Sequence, residues 1–140
     1  MWVVLDTNHF TELVRESAAG LLLQERLIAS NADVFLPVVA AQECLQGWLA
    51  VVNRHKAGPD QVSAYLQFRR SLEALARFSV LDFDEKAASR FLEIQTQCPR
   101  VGAMDLKIAA ICLERDAIVL TRNLSDFQCD PGLRVENWLD

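Results

Sequence analysis

The chain has 140 residues, about one domain's worth, and its 51% hydrophobic content is enough for a real core. Its formal net charge of −5 argues against bulk electrostatic holding of nucleic acid, which usually needs a basic face. Pro37 interrupts the apolar run "VFLPVVAA", so a membrane-spanning helix has no candidate, and "MWVVLD" has no basic segment typical of a signal peptide. A cytoplasmic protein of one domain, residues 1–140, is expected. Cys44, Cys98, Cys112 and Cys129 show no C-x-x-C spacing and read as reduced thiols.

Trp2 to Leu5 is a β-branched and aromatic run that stops at "DTN", which suits a strand buried on both faces and followed by a helix. "HFTELVRES" and "GLLLQERLIAS" carry helical apolar spacing, and "VFLP" is a second strand. The pattern is helical from Val38 to about Lys56. "AGPD" then stops the chain and restarts it, Pro59 suiting the first turn of a helix that runs from about Asp60 to Arg77. "FSVLDF" is a third strand, and "DEKAASRFLEIQTQ" a helix that ends before Pro99. "VGAMDLKIAA" opens a helix reaching Arg115, "AIVLT" is a fourth strand and "LRVENW" a short fifth. Alternating strands and helices predict an α/β fold, with a twisted, mostly parallel sheet of four or five strands flanked by helices.

Ligands of such sheets sit beyond the carboxyl ends of the strands. Asp6 follows strand one. Thr121, Asn123 and Asp126 follow strand four, and Asp105 starts the helix that feeds it. Glu43 falls in the first turns of the helix after strand two. Four acids on one edge repel one another unless protons or a cation neutralise them. Magnesium or manganese, which take oxygen ligands and keep several waters, match this composition. A metal there can activate water and neutralise charge developing on a phosphate, the chemistry of nucleases and phosphatases.

Each acid also has a plainer reading. Asp6 and Asp105 could simply cap the helices they precede, and Asp126 could be an ordinary loop acid. Glu43 lies among Ala40, Ala41, Cys44 and Leu45, where an acid costs free energy unless paired or wet, which favours function. Thr121 and Asn123 are explicable by strand-end hydrogen bonding. Arg69, Arg70 and Arg77 form the nearest thing to a basic cluster, and a solvated helix face explains them.

In order and spacing, "VVLDTN", Glu43 with Gly47, "RVGAMDLKIAA", "VLTRNLSDF" and "LRVENW" resemble the PIN-domain ribonucleases, and among them the VapC-type toxins of bacterial toxin–antitoxin pairs. The resemblance implies a magnesium- or manganese-dependent endoribonuclease. In it Asp6 and Asp105 are the principal metal ligands, and Glu43 and Asp126 complete the acidic pocket through waters or a second ion. Thr7, Asn8, Thr121 and Asn123 orient them. A homodimer, an RNA substrate and a small VapB-like antitoxin are implied as partners. The antitoxin would lie in an apolar groove for which Trp48, Tyr65, Phe68, Leu21, Leu22 and Leu23 are candidates, although core packing is expected for most of these.

Two positions depart from the family pattern. His9 stands where these toxins carry an aliphatic residue, and is expected on a helix surface. Arg122, inside the fourth motif, is a candidate phosphate contact. A haloacid-dehalogenase-type phosphatase would need an Asp where Asn8 stands. The rival from another class is a catalytically silent PIN-like module acting through protein partners.

Overall fold

A computed structural model describes residues 1–140. Five strands, β1 (Trp2–Leu5), β2 (Asp33–Pro37), β3 (Ser79–Leu81), β4 (Ile118–Leu120) and β5 (Arg134–Glu136), form one sheet in the order β3-β2-β1-β4-β5. Every pairing is parallel, so the sheet expected to be mostly parallel is wholly so. Seven helices surround it: α1 (Thr7–Arg15), α2 (Ala18–Ser30), α3 (Val38–Asn53), α4 (Val62–Leu75), α5 (Glu85–Gln97), α6 (Ala103–Arg115) and α7 (Leu124–Phe127). Pro59 opens a short 3-10 turn, Pro59–Gln61, just before α4.

Side chains alternate across a strand, and the central strands are buried on both faces for that reason. Val3, Leu5, Leu36, Ile118 and Leu120 point into one core with Phe10, Leu23, Leu27 and Ala74 from α1, α2 and α4. Val4 and Val119 point into the other, with Ala87 and Ile94 of α5 and a run of α6 from Leu106 to Cys112. Helices α1 and α2 meet closely at Gly20, where a Cβ would stand 1.9 Å from the carbonyl oxygen of Glu12. Any larger residue there would force the two helices apart.

One expectation about the cysteines is overturned. Cys98, at the end of α5, and Cys129, just beyond α7, form a disulfide with a Cα–Cα distance of 6.1 Å, and only Cys44 and Cys112 are free thiols. Sequence spacing tests for local motifs such as C-x-x-C. It carries no information on two cysteines that the packing of α5 against the α7–β5 loop brings together. The chain also makes one helix that its pattern does not announce, since α7 is too short to display a period. No helix is long and apolar enough to cross a membrane.

Candidate active site

The first strand delivers its acid by a backbone route. Asp6 leaves β1 in an extended conformation, its main-chain N–H donating to Leu120 O at 3.1 Å. Its Oδ1 accepts from the His9 N–H at 3.1 Å, so Asp6 is the N-cap of α1. Thr121 continues β4 one residue beyond its end, is fully buried, and donates its hydroxyl to Asp6 Oδ2. The same hydroxyl oxygen accepts from Asn123 N at 2.9 Å. The capping role and the pocket role of Asp6 therefore coexist, one on each carboxylate oxygen.

Asp105 differs. Helix α6 begins two residues before it, with Gly102 as N-cap, and Asp105 lies in the first turn without capping anything. The expectation that Asp105 caps this helix is thus corrected, while its place near the positive end of the helix stands. Asn123 Nδ2 donates to Asp105 Oδ2 at 3.0 Å and to Asp126 Oδ2 at 2.8 Å, tying the two acids together. Asp126 belongs to α7, not to a loop. On α3, Glu43 Oε1 accepts from the Thr7 hydroxyl at 3.2 Å, which joins α3 to the first turn of α1.

These groups border one cavity of about 200 Å³, lined by Asp6, Thr7, Asn8, Glu43, Asp105, Ile108 and Asn123. Asp126 is joined to it through Asn123. Burial is the largest influence on Glu43 and holds its carboxyl above the usual range; the Thr7 hydrogen bond opposes this, and the charges of Asp105 and Asp6 add to it. Asp105 is likewise raised, by burial first and then by Asp126 and Asp6, with Asn123 opposing. No lysine or arginine forms an ion pair with any of the four acids. The pocket therefore carries a charge excess that its own residues leave unbalanced.

No three carboxylate, imidazole or thiol groups converge tightly enough to enclose an ion by themselves. The donor set is nonetheless all oxygen and faces a wet cavity. That fits a hard divalent ion, which is commonly held by one or two carboxylates while keeping several waters.

His9 is not on a surface. It is fully buried, and its Nε2 accepts from the Trp138 main-chain N–H at 3.2 Å. That bond assigns the proton to Nδ1, which is otherwise unpartnered and stands 3.4 Å from Asp6 Oδ1. His9 thus sits between the first acid and the C-terminal tail. The sequence signal for this burial is its place on α1, immediately before Phe10, which also faces the core.

Arg122 lies outside the lining of the pocket, and its Nε pairs with Asp140 Oδ2 at 3.4 Å. Among the six candidate groove residues only Leu23 is core. Leu21, Leu22 and Tyr65 are exposed and Trp48 and Phe68 half-buried, because α2 turns Leu23 and Leu27 inward, one turn apart, and leaves Leu21 and Leu22 on its outer side.

The sequence profile of the family described as PIN domain matches residues 3–128. A Shigella flexneri protein, "tRNA(fMet)-specific endonuclease VapC", is 35% identical over 139 residues, 96% of each chain. A Salmonella typhimurium protein of the same name is 37% identical over 68 residues, 46% of this chain, so the match spans about half of that relative, 52%. Among solved structures, "VapBC2 from Rickettsia felis bound to a DNA fragment from their promoter" superposes with a TM-score of 0.77 at 23% identity over 99% of both chains.

Proposed function

This chain belongs to the PIN-domain family, and from that premise we propose that it is a divalent-metal-dependent endoribonuclease, the toxin of a VapC-type toxin–antitoxin pair. One observation carries the reading: Asp6, Glu43 and Asp105, from three separate segments, face a single cavity with no lysine or arginine paired to them. The names of the full-length relatives point the same way.

Asp6 and Asp105 are the residues we assign to hold magnesium or manganese, with Glu43 and Asp126 completing the pocket through waters or a second ion. A bound ion supplies charge neutralisation at the scissile phosphate and makes water a stronger nucleophile at neutral pH. The protein's own part is placement. Thr121 and the first turn of α1 fix both oxygens of Asp6. Asn123 spaces Asp105 from Asp126, so two like charges share one amide instead of rotating apart. Thr7 aims Glu43 inward, and the raised affinity of Glu43 for a proton suits it to take one from water entering the pocket. Asn8, exposed at the rim, is placed to meet the substrate. A phosphate at Arg122 would have to displace Asp140.

A homodimer silenced by a small VapB-like antitoxin, in a cytoplasmic setting, belongs to the same proposal. The test is direct. The purified chain should cut RNA when magnesium or manganese is supplied, and EDTA should stop it. Unaltered cleavage by Asp6→Asn or Asp105→Asn would remove the assigned roles. No cleavage of any RNA by the unaltered chain would favour the silent module.

A further inference from the structure

The largest cavity of the molecule is not the acidic pocket. It is a cleft of about 650 Å³ between α1, α3 and α4. Arg15, Arg70 and Arg77 line it, and none of the three forms an ion pair. Glu73, the one acid in its wall, is engaged at 3.3 Å by Arg69, which does not line the cleft. Three unpaired guanidinium groups on one cleft stand out in a chain with a net charge of −5. Half-buried Trp48 forms part of the same wall.

The cleft and the pocket share their supports. Thr7 borders the pocket, and Thr11, one turn along the same face of α1, borders the cleft. Glu43 borders the pocket, and its neighbour Cys44 borders the cleft. From Thr7 to Arg15 the helix rises about 12 Å, and from Glu43 to Trp48 about 7 Å. Helix α1 therefore runs from an acid at its N-cap to an arginine in its last turn, and α3 carries Glu43 into the pocket and Trp48 into the cleft, over a distance on the scale of a few nucleotides.

We propose that this cleft holds the single-stranded RNA flanking the scissile bond, its phosphates on Arg15, Arg70 and Arg77 and one base against Trp48. Guanidinium groups pair with phosphates, and an aromatic face accepts any base. A duplex would not offer an unstacked base to Trp48, so a single strand is the occupant. The inference rests on the nuclease reading for its orientation, and it can fail separately.

The experiment uses full-length protein silenced by Asp105→Asn and a dye-labelled single-stranded RNA oligonucleotide, with the dissociation constant measured against salt concentration. Arg70→Gln with Arg77→Gln should weaken binding about tenfold and flatten the log–log salt slope by about 1.4, or 0.7 for each lost phosphate contact. Trp48→Ala should weaken binding about fivefold or more. Arg90→Gln, on α5 outside the cleft and paired with Glu114, should leave affinity and slope unchanged. The proposal is overturned if the cleft variants match Arg90→Gln, or if they lose affinity for polyglutamate while keeping that for RNA. In otherwise unaltered protein, normal KM for RNA cleavage in the cleft variants would overturn the cleft and leave the nuclease standing. RNA bound in the cleft but never cut by the unaltered chain would do the reverse.

Discussion

The acidic pocket and the arginine cleft share walls on α1 and α3, yet their charges live under opposite conditions. In the pocket, Glu43 and Asp105 are partly withdrawn from water and face other acids, so each holds its proton more tightly than usual. In the cleft, the arginines are exposed and cost little, because a solvated guanidinium needs no partner to stay charged. The pocket is thus destabilised until a cation arrives. The cleft waits for an anion at no comparable cost. The pocket itself is uneven: both oxygens of Asp6 have hydrogen-bonding partners, whereas Glu43 and Asp105 have one partner each.

The largest effect should come from neutralising the pocket. Asp105→Asn should lower the rate of RNA cleavage by about three orders of magnitude in magnesium. Its stability should not suffer, because an amide oxygen at that position still accepts from Asn123. Asp6→Ala should abolish cleavage as well but also unfold at lower temperature, losing a helix cap and orphaning the buried Thr121 hydroxyl, together about 2 to 3 kcal/mol. Equal melting temperatures for the two variants would dissolve the distinction between a fixed acid and a strained one.

The next effect lies at the edge of the pocket, where the disulfide secures the chain just after α7 and its Asp126. Cys98→Ser with Cys129→Ser, or a strong reductant, should cost about 3 kcal/mol, a fall of about 6 to 12 °C in melting temperature. A reductant that leaves the melting curve unmoved would show that the thiols, not the bond, prevail in solution. Disulfides are rare in reducing compartments, so this measurement also bears on where the protein works.

Manganese should then raise the melting temperature as its concentration rises, the stabilisation reaching about 2.7 kcal/mol at a hundred times its dissociation constant. The shift should vanish in Asp105→Asn and survive in Arg70→Gln. A shift that persists without Asp105 would place the cation elsewhere.

The pocket was readable before any coordinates because strand ends are marked by local chemistry. "LDTN" and "VLTRN" each show a β-branched run yielding to polar residues, and the sheet rule then places Asp6, Thr121 and Asn123 on one edge. What escaped was what depends on distant segments. Capping remained an open alternative for Asp105 because Gly102, three residues earlier, starts the helix without any capping side chain to mark it. Cys98 finds Cys129, and His9 finds Trp138, through packing that no local pattern encodes. His9→Leu tests the last of these. It should leave the Trp138 N–H without an acceptor at a cost of about 1 kcal/mol, seen as faster hydrogen exchange at that amide. Unchanged exchange would mean that the His9 contact does not protect the Trp138 amide.

The smallest effect is the dependence of stability on pH, and its sign separates the pocket from the cleft most cleanly. Glu43 and Asp105 both have folded-state affinities for a proton raised above those of the unfolded chain. Between the unfolded and folded values the native protein therefore binds more protons, so its stability falls as pH rises through that window. The loss is complete above the folded values, and the protein without a bound cation carries it there. Asp105→Asn has no such carboxyl to deprotonate. Without divalent ions it should melt above the unaltered chain at pH 7, by only about one or two degrees because the open side of the pocket screens the charge. The gap should close as the pH falls toward the ordinary carboxylate range. Arg70→Gln should show no such pH-dependent gap, since the substitution leaves every carboxyl of the pocket in place. A gap that widens in acid would mean that Asp105 is stabilised as a carboxylate by the fold, and that the pocket has no charge excess for a cation to relieve.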